Sequence, residues 1–201
     1  MTSFFLYIKH RCVKLWGFVE KLNGPMTIFF FPQIRRRATE VLEENNNTEF
    51  EYTLVEIDDL EELIHFRENQ RNDYLRYFDP HRFDTQTLTR MLENPAYVMM
   101  KVKERGVDGP IIGYFFLRCF FIGKAFHGLI VDETFTNRGI GSAMWRMSAE
   151  ICSRLRLRMY ATVSSHNQAS LSSARNGASV KVTESLDNDY LLIECRQKQE
   201  I

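Results

Sequence analysis

The chain has 201 residues, enough to build one full hydrophobic core with an additional segment. Lysine plus arginine and aspartate plus glutamate number 26 each, so no net field favours nucleic acid as a partner, and the basic residues are not interleaved with aromatic rings. The four cysteines and five histidines show neither a CxxC pair nor metal-ligand spacing, which predicts no metal site and suits a reducing, cytoplasmic setting.

Residues 1–48 are predicted to be an N-terminal extension that begins with a basic amphipathic helix over Ser3–Leu22. Its charges are too frequent for a membrane span, and it lacks the features of a signal peptide. Its apolar face either packs on the rest of the chain or on a second copy, giving a homodimer, or lies on an anionic membrane surface. We favour packing, which is the commoner fate of such a helix.

A second apolar cluster, Met26–Pro32, precedes Arg35–Arg37 and needs cover for the same reason. A start of the chain at Met26 is an open alternative. The tract Glu43–Asn47 is polar and predicts a flexible link, so that residues 49–201 form the main domain.

The main domain alternates strand and helix patterns. Two amphipathic helices are predicted over Asp59–Gln70 and Thr85–Leu92, and a third follows a glycine turn and ends near Leu155. The predicted strands are Phe50–Ile57, Ala96–Lys103, Ile111–Cys119, Lys124–Val131, Leu157–Val163, Val180–Thr183 and Tyr190–Cys195.

The segment Gly128–Met147 reads as an apolar strand end, a polar loop, a glycine turn and a helix. With glycine at positions 139 and 141, the backbone N–H groups of residues 138–142 can close on an anion at a helix N-terminus. A dinucleotide fingerprint would need glycine where Met144 stands, and a P-loop would need Lys after Gly141. Neither pattern fits, and a tight turn without a ligand is the remaining alternative.

In the register Thr136–Gly141, this phrase resembles the acyl-CoA loop of the GCN5-related N-acetyltransferases (GNAT), which usually reads Gln or Arg, two residues, Gly, one residue, then Gly or Ala. Thr136 departs from the usual Gln or Arg. A second stretch also resembles this family: a strand reaches Asn167, and a short helix follows over Gln168–Asn176, with Gly177 at a plausible position after its end. The Tyr that relatives often carry on this helix is absent, because Ala174 stands there. Asn167 also suits a helix N-cap.

The resemblance covers about Glu49–Cys195 and implies a mixed α+β fold, in which helices cover both faces of a mixed, mostly antiparallel sheet. It implies direct transfer of an acetyl group from acetyl-CoA, the only cofactor expected, to a primary amine. The residues that it assigns to CoA are Leu129, Ile130, Val131, Arg138, Gly139, Ile140, Gly141, Ser142 and Asn167.

The catalytic base and acid are not fixed by the sequence. His127 has a suitable pKa for a base and, by the period of two, shares a face with Ala125, although a lone histidine is more often structural. Glu133 is the next candidate, with a solvated loop carboxylate as its alternative. Tyr160 is a candidate for the acid, although most strand tyrosines only pack.

The acceptor is expected to contact the segment between the first two helices of the domain. There Arg76, Tyr77, Phe78 and His81 would suit a sugar or a nucleotide that stacks on the rings and is held by its phosphates. Residues 77–84 resemble acetyltransferases of bacterial surface-polysaccharide synthesis, which implies an amino sugar. A solvated loop is the alternative. A different class also stays open: a noncatalytic acyl-CoA-binding or assembly module, which would explain the missing helix Tyr.

Overall fold

The computed structural model describes residues 13–198, with side chains from residue 22 onward. The helices are α1 (Val13–Phe30), α2 (Ile34–Asn45), α3 (Leu60–Glu68), α4 (Asn72–Leu75), α5 (Thr85–Glu93), α6 (Ile140–Arg154) and α7 (Gln168–Gly177). The strands are β1 (Phe50–Leu54), β2 (Tyr97–Glu104), β3 (Gly113–Phe120), β4 (Lys124–Val131), β5 (Arg158–Ser164), β6 (Ser179–Ser185) and β7 (Tyr190–Arg196).

The seven strands form one sheet in the order β1-β2-β3-β4-β5-β7-β6. Every neighbouring pair is antiparallel except β4 and β5, which run parallel. The parallel pair needs a crossover, and α6 supplies it between the two strands. The predicted class, a mixed and mostly antiparallel sheet with helices, is confirmed.

Apolar side chains cover both faces of the sheet. On one face, the core includes Ile34 of α2, Trp145 of α6 and Leu171 of α7. On the other face, Leu63 of α3 and Leu88 of α5 belong to a separate buried cluster. Alternating residues of β3 and β4 point into the two cores, as the period of two in a strand requires.

The tract Glu43–Asn47 closes α2 and joins it to β1. The Asn46 Oδ1 atom accepts a hydrogen bond from the Tyr52 backbone N–H at 2.6 Å, and Asn47 Oδ1 accepts one from Phe50 N at 2.8 Å. Since α2 buries four side chains in the main core, these asparagines fix a connection within one packed body and do not provide a flexible link. Whether residues 1–48 form a separable unit stays a prediction.

Helix α1 runs without a break through Gly24 and Pro25 to Phe30, so the predicted end at Leu22 is wrong. The predicted residues 3–12 lie outside the described part of the chain. Two interactions hold the helix past Leu22: the Asn23 amide donates to the Cys119 carbonyl at 2.8 Å, and Gly24 lies close to the side chain of Asn94.

Gly177 is the last residue of α7 and does not act as a left-handed cap, because its φ lies outside the positive range. Its role is close packing on α6. A Cβ atom at this position would lie 2.7 Å from Trp145 Cβ and 3.0 Å from the Arg146 backbone nitrogen. Only glycine therefore lets α7 lie this close to the first turns of α6.

We expect Gly177→Ala to lower the free energy of unfolding by about 1–3 kcal/mol, because the added methyl group meets backbone that cannot move aside cheaply. Urea unfolding followed by circular dichroism would measure the change. Gly109→Ala is the matched control, since its Cβ would be 3.4 Å from the nearest atom, a Val107 side-chain carbon. Equal stability of the two variants would contradict the role assigned to Gly177.

Candidate active site

Strands β4 and β5 separate partway along their length and leave a cleft between them. Their pairing is limited to three residue pairs and ends at Phe126 and Tyr160. Beyond that point the strands border a cleft of about 860 Å³, which also reaches the N-terminal turns of α6 and α7. The sheet itself thus provides an internal opening with strand edges on both sides.

Beyond Phe126, the edge of β4 that faces this cleft has no partner strand. Tyr74 Oη donates a hydrogen bond to the Val131 carbonyl at 2.8 Å, and Tyr74 lines the cleft, so the Val131 carbonyl points away from β3. Because successive backbone groups alternate sides in a strand, the N–H and C=O of Leu129 point to the same edge. A linear ligand with amide groups can pair with Leu129 there as an added strand would.

The α6 helix begins at the mouth of the cleft with its N-terminus uncapped. Gly139 takes the N-cap position with φ +80°, and no side chain accepts from the first turn. Asn137 also has a positive φ, 63°. The tight turn aims the first helical N–H groups, including those of Ile140 and Gly141, outward, where the helix dipole favours an anion.

The glycine turn forms at the predicted residues, and two side chains beside it are used in other contacts. Arg138 turns away from the cleft: its guanidinium is 3.1 Å from Glu104 and lies over the Phe50 ring. Of Arg138, only the backbone N–H is therefore available to bind an anion in the cleft. Thr136 lines the cleft, and its hydroxyl donates to the Glu133 carbonyl at 3.0 Å, ending the short turn after β4.

Asn167 caps α7 and lines the cleft as well. Its Oδ1 atom accepts a hydrogen bond from the Ser170 backbone N–H at 3.0 Å, which is the N-cap arrangement. The side chains of Ser170 and Ser173 follow along the same wall. The second wall of the cleft is therefore a helix start rich in small polar groups.

One buried side chain that the sequence did not single out holds the loop after β4. Gln70 is 6% exposed, donates to Asp132 Oδ2 at 2.8 Å and accepts from the Glu133 backbone N–H at 3.3 Å. Burial alone would raise the pKa of Asp132, but hydrogen bonds from Thr134 and Gln70 outweigh it and lower the pKa. The loop carboxylate is thus ionised and fixed, which positions the start of the glycine turn.

His127 is placed on the face predicted for it, but in a setting that opposes ionisation. The side chain is 6% exposed and its ring lies 4.4 Å from the Trp145 ring. Neither ring nitrogen makes a hydrogen bond of normal geometry. Burial lowers the pKa of His127 to about 3 and outweighs the Phe116 backbone, which raises it. The imidazole is therefore neutral at physiological pH, and it is a much weaker proton acceptor than a free histidine.

The other two catalytic candidates are engaged elsewhere. Glu133 forms an ion pair with Arg71 at 2.9 Å. The Tyr160 hydroxyl lies 3.5 Å from Glu194 Oε2 on β7, and burial followed by the nearby Glu194 charge raises the pKa of the tyrosine. The structure does not bring His127, Glu133 and Tyr160 together as one constellation.

The predicted acceptor segment forms one wall of the cleft. Arg76, Tyr77 and Phe78 line it, together with Tyr74, which the sequence analysis did not single out. The Arg76 guanidinium lies 4.4 Å from the centre of the Tyr77 ring. This wall offers aromatic surface and a cation.

His81, in contrast, lies behind this wall in an aromatic cluster. Its Nδ1 is 3.1 Å from the Arg82 carbonyl, so Nδ1 carries the hydrogen and Nε2 accepts from the Tyr114 hydroxyl, also at 3.1 Å. Its ring stacks on Phe83 with centroids 4.6 Å apart. Burial lowers the pKa of His81, which favours this neutral form.

The burial of His127 predicts a pH dependence of stability. Its folded pKa of about 3 lies below the ordinary 6.5, so between these values only the unfolded chain binds the proton, and stability falls as pH decreases. From pH 7 to pH 5 this group should cost about 2 kcal/mol. In urea titrations, the free energy of unfolding of the wild type, taken relative to that of His127→Leu, should fall by that amount from pH 7 to pH 5. His65→Leu, at an exposed histidine, should follow the wild-type slope; a parallel slope in His127→Leu would refute the burial.

Comparison with known structures places the fold. The ribosomal L7/L12 alpha-N-protein acetyltransferase RimL, in complex with coenzyme A, matches with a TM-score of 0.60 at 17% identity, over 75% of this chain and 95% of that one. The spermidine N-acetyltransferase from Vibrio cholerae, with CoA and spermine, matches at 0.57 and 14%, over 74% and 94%. The aminoglycoside acetyltransferase AAC(6')-Ib, with coenzyme A and kanamycin, matches at 0.57 and 12%, over 74% and 95%.

No curated protein matches the chain at a significant level. The family described as Acetyltransferase (GNAT) family matches residues 54–177, more than half of the chain. The matched span includes the divergence of β4 and β5, the glycine turn and α7. The chain belongs to the GNAT acetyltransferase family.

Proposed function

We propose that this protein is an N-acetyltransferase that moves an acetyl group from acetyl-CoA directly to a primary amine of a small molecule. The observation that carries the proposal is the open edge of β4, which leads from the fork at Phe126 to the uncapped start of α6. This single channel offers amide partners along a strand and an anion site at its end. CoA, with an amide-bearing arm attached to a pyrophosphate, has this order of groups.

The residues present fit the cofactor. The backbone N–H groups of residues 138–142 would hold the pyrophosphate, and the edge from Leu129 to Val131 would pair with the pantetheine arm. The Asn167 side chain would add a polar contact from the opposite wall. When bound, the thioester supplies an activated acyl group, so the protein has to orient the amine and move its proton.

For the acceptor we propose an amino sugar. The support is the wall of Tyr74, Tyr77 and Phe78, whose rings can stack on a sugar face, and the exposed cation Arg76 beside them. The similar structures named above contain an aminoglycoside in one case and spermine in another, and RimL is named for a protein acceptor. The shared fold therefore does not determine which amine is the acceptor. In this proposal, the residues of the cleft wall determine it.

The proton transfers stay proposals on His127, Glu133 and Tyr160. A base whose pKa is about 3 accepts a proton poorly near pH 7, so the burial of His127 counts against it. Glu133 lies at the carboxyl end of β4 but is paired with Arg71. A pH-rate profile of His127→Leu that matches wild type in both limb position and height would remove that histidine as the base.

The low pKa of His127 and the ion pair of Glu133 favour a second candidate, an acyl-CoA-binding module without catalysis. In that case binding would not lead to amine-dependent release of thiol. Isothermal titration with acetyl-CoA, followed by a free-thiol assay over a panel of amino sugars, polyamines and peptides, distinguishes the two functions. Binding with thiol release supports the enzyme, and binding without release from any amine supports the module.

We expect Gly141→Val to abolish acetyl-CoA binding in a folded protein, because the branched side chain would fill the space beside Ser173 and Val131. A single Cβ at this position would lie 3.5 Å from Ser173 Cβ, an ordinary contact, so Gly141→Ala is the matched control and should bind within about threefold of wild type. Titration calorimetry measures both. Unchanged affinity in the valine variant would contradict the phosphate assignment.

We expect Arg76→Ala and Tyr77→Ala to raise the KM for the amine by about tenfold while leaving acetyl-CoA affinity unchanged, since each loses one contact worth about 1–2 kcal/mol. Steady-state kinetics with the best amine of the panel provide the test. Arg82→Ala is the control, because its side chain is 90% exposed. A loss of acetyl-CoA affinity instead would assign Arg76 to the cofactor.

A further inference from the structure

In residues 22–30, where the side chains are described, helix α1 packs on the domain with its polar side and turns apolar side chains outward. Asn23 and Thr27 are 4% and 0% exposed. Phe29 is 79% exposed, and Phe30 and Leu22 are 54% and 44% exposed. This is the reverse of the pattern expected for a helix that completes a core.

The orientation is fixed by hydrogen bonds. The Asn23 amide donates to the Cys119 carbonyl, and its Oδ1 accepts from the Phe121 backbone N–H at 3.3 Å and from the Thr27 hydroxyl at 3.3 Å. Rotating the helix to bury Phe29 would break these buried bonds and leave their partners unsatisfied. The apolar face therefore belongs to the surface of this domain, and it needs another partner.

The segment of sequence that contains this face is strongly basic, which favours an anionic partner. Residues 1–37 contain seven lysines and arginines and one glutamate, whereas the remainder contains 19 basic and 25 acidic residues. Arg35 and Arg36 follow α1, and their side chains are 46% and 57% exposed. Their ion pairs with Glu56 and Glu40 are on the surface, where such pairs contribute little and leave the guanidinium groups accessible.

We propose that the face of Leu22, Ile28, Phe29 and Phe30 docks into the interface of an anionic lipid bilayer, with Arg35 and Arg36 at the level of the headgroups. Phenylalanines followed closely in sequence by arginines suit the acyl boundary and the anionic surface together. A second copy of the chain fits less well, because an isologous contact would bring two strongly basic segments together. In this proposal, α1 lies along the surface of the bilayer. Within residues 13–198, no helix is long and apolar enough to cross a membrane. The inference does not depend on the proposed enzymatic activity.

The test uses the full chain and sedimentation with vesicles of phosphatidylcholine alone or with 30% phosphatidylglycerol. We expect binding to the anionic vesicles at low salt and weaker binding at 0.5 M NaCl. The double variant Phe29→Glu, Phe30→Glu should lower the bound-to-free ratio by at least about tenfold, and Arg35→Ala with Arg36→Ala by on the order of tenfold. The control is Val107→Glu, which charges an equally accessible residue, 59% exposed, in the turn between β2 and β3.

Three results would overturn the proposal. The wild type could stay in the supernatant with anionic vesicles, or the phenylalanine variant could bind as well as Val107→Glu does. Alternatively, light scattering could detect a dimer that dissociates in the phenylalanine variant while vesicles bind neither protein, and the face would then be an interface between two copies. Circular dichroism of each variant establishes that loss of binding is not loss of fold.

Discussion

The early end of the pairing between β4 and β5 is the constraint on which the rest of the site depends. Each strand is held on its far side: β4 pairs with β3 through eight residues, and β5 pairs with β7 through six. The two strands cannot close on one another without breaking those ladders. Their facing edges keep unpaired backbone groups inside the molecule, which are costly unless a ligand or water satisfies them. A ligand that behaves as a strand is the natural complement of such an opening.

The helices extend this constraint to the mouth of the cleft. Because Gly177 lets the end of α7 approach the first turns of α6, the middle of α7 lies beside the start of α6, where a Cβ on Gly141 would contact Ser173. The start of α7 lines the same cleft as the start of α6. Two helix N-termini thus face the same space, and both favour negative charge there. The hydrogen bonds of Gln70 to Asp132 and Glu133 fix the loop that leads into this turn. Helix packing and hydrogen bonding therefore both fix the glycine turn and the loop that leads into it.

Local patterns in the sequence predicted much of this arrangement. Strand Lys124–Val131 has the predicted bounds, because its apolar run ends in a polar loop and begins after Gly123. The glycine turn was also predictable from the sequence, since only a few residue types tolerate its backbone angles. Contacts between polar groups that lie far apart in the sequence were not predictable from it. Gln70 lies 62 residues from Asp132, and nothing near Gln70 in the sequence signals that its amide is buried. The same holds for His127, whose low pKa comes from burial beside Trp145 on another element.

The anchor of α1 and the glycine turn of the cleft lie at opposite ends of β4. Asn23 is bound to Cys119 and Phe121, where β3 turns into the start of β4, whereas the glycine turn follows the end of β4 at Val131. The seven residue-to-residue steps of β4, at about 3.3 Å each, separate these points by roughly 23 Å. The described residues of α1 do not line the cleft, so we expect lipid bound at α1 to leave the cleft accessible. Acetyl-CoA affinity should consequently be equal for the wild type and the Phe29→Glu, Phe30→Glu variant in the presence of anionic vesicles. Competition between vesicles and acetyl-CoA would place the membrane on the cleft itself and require a different orientation of the domain.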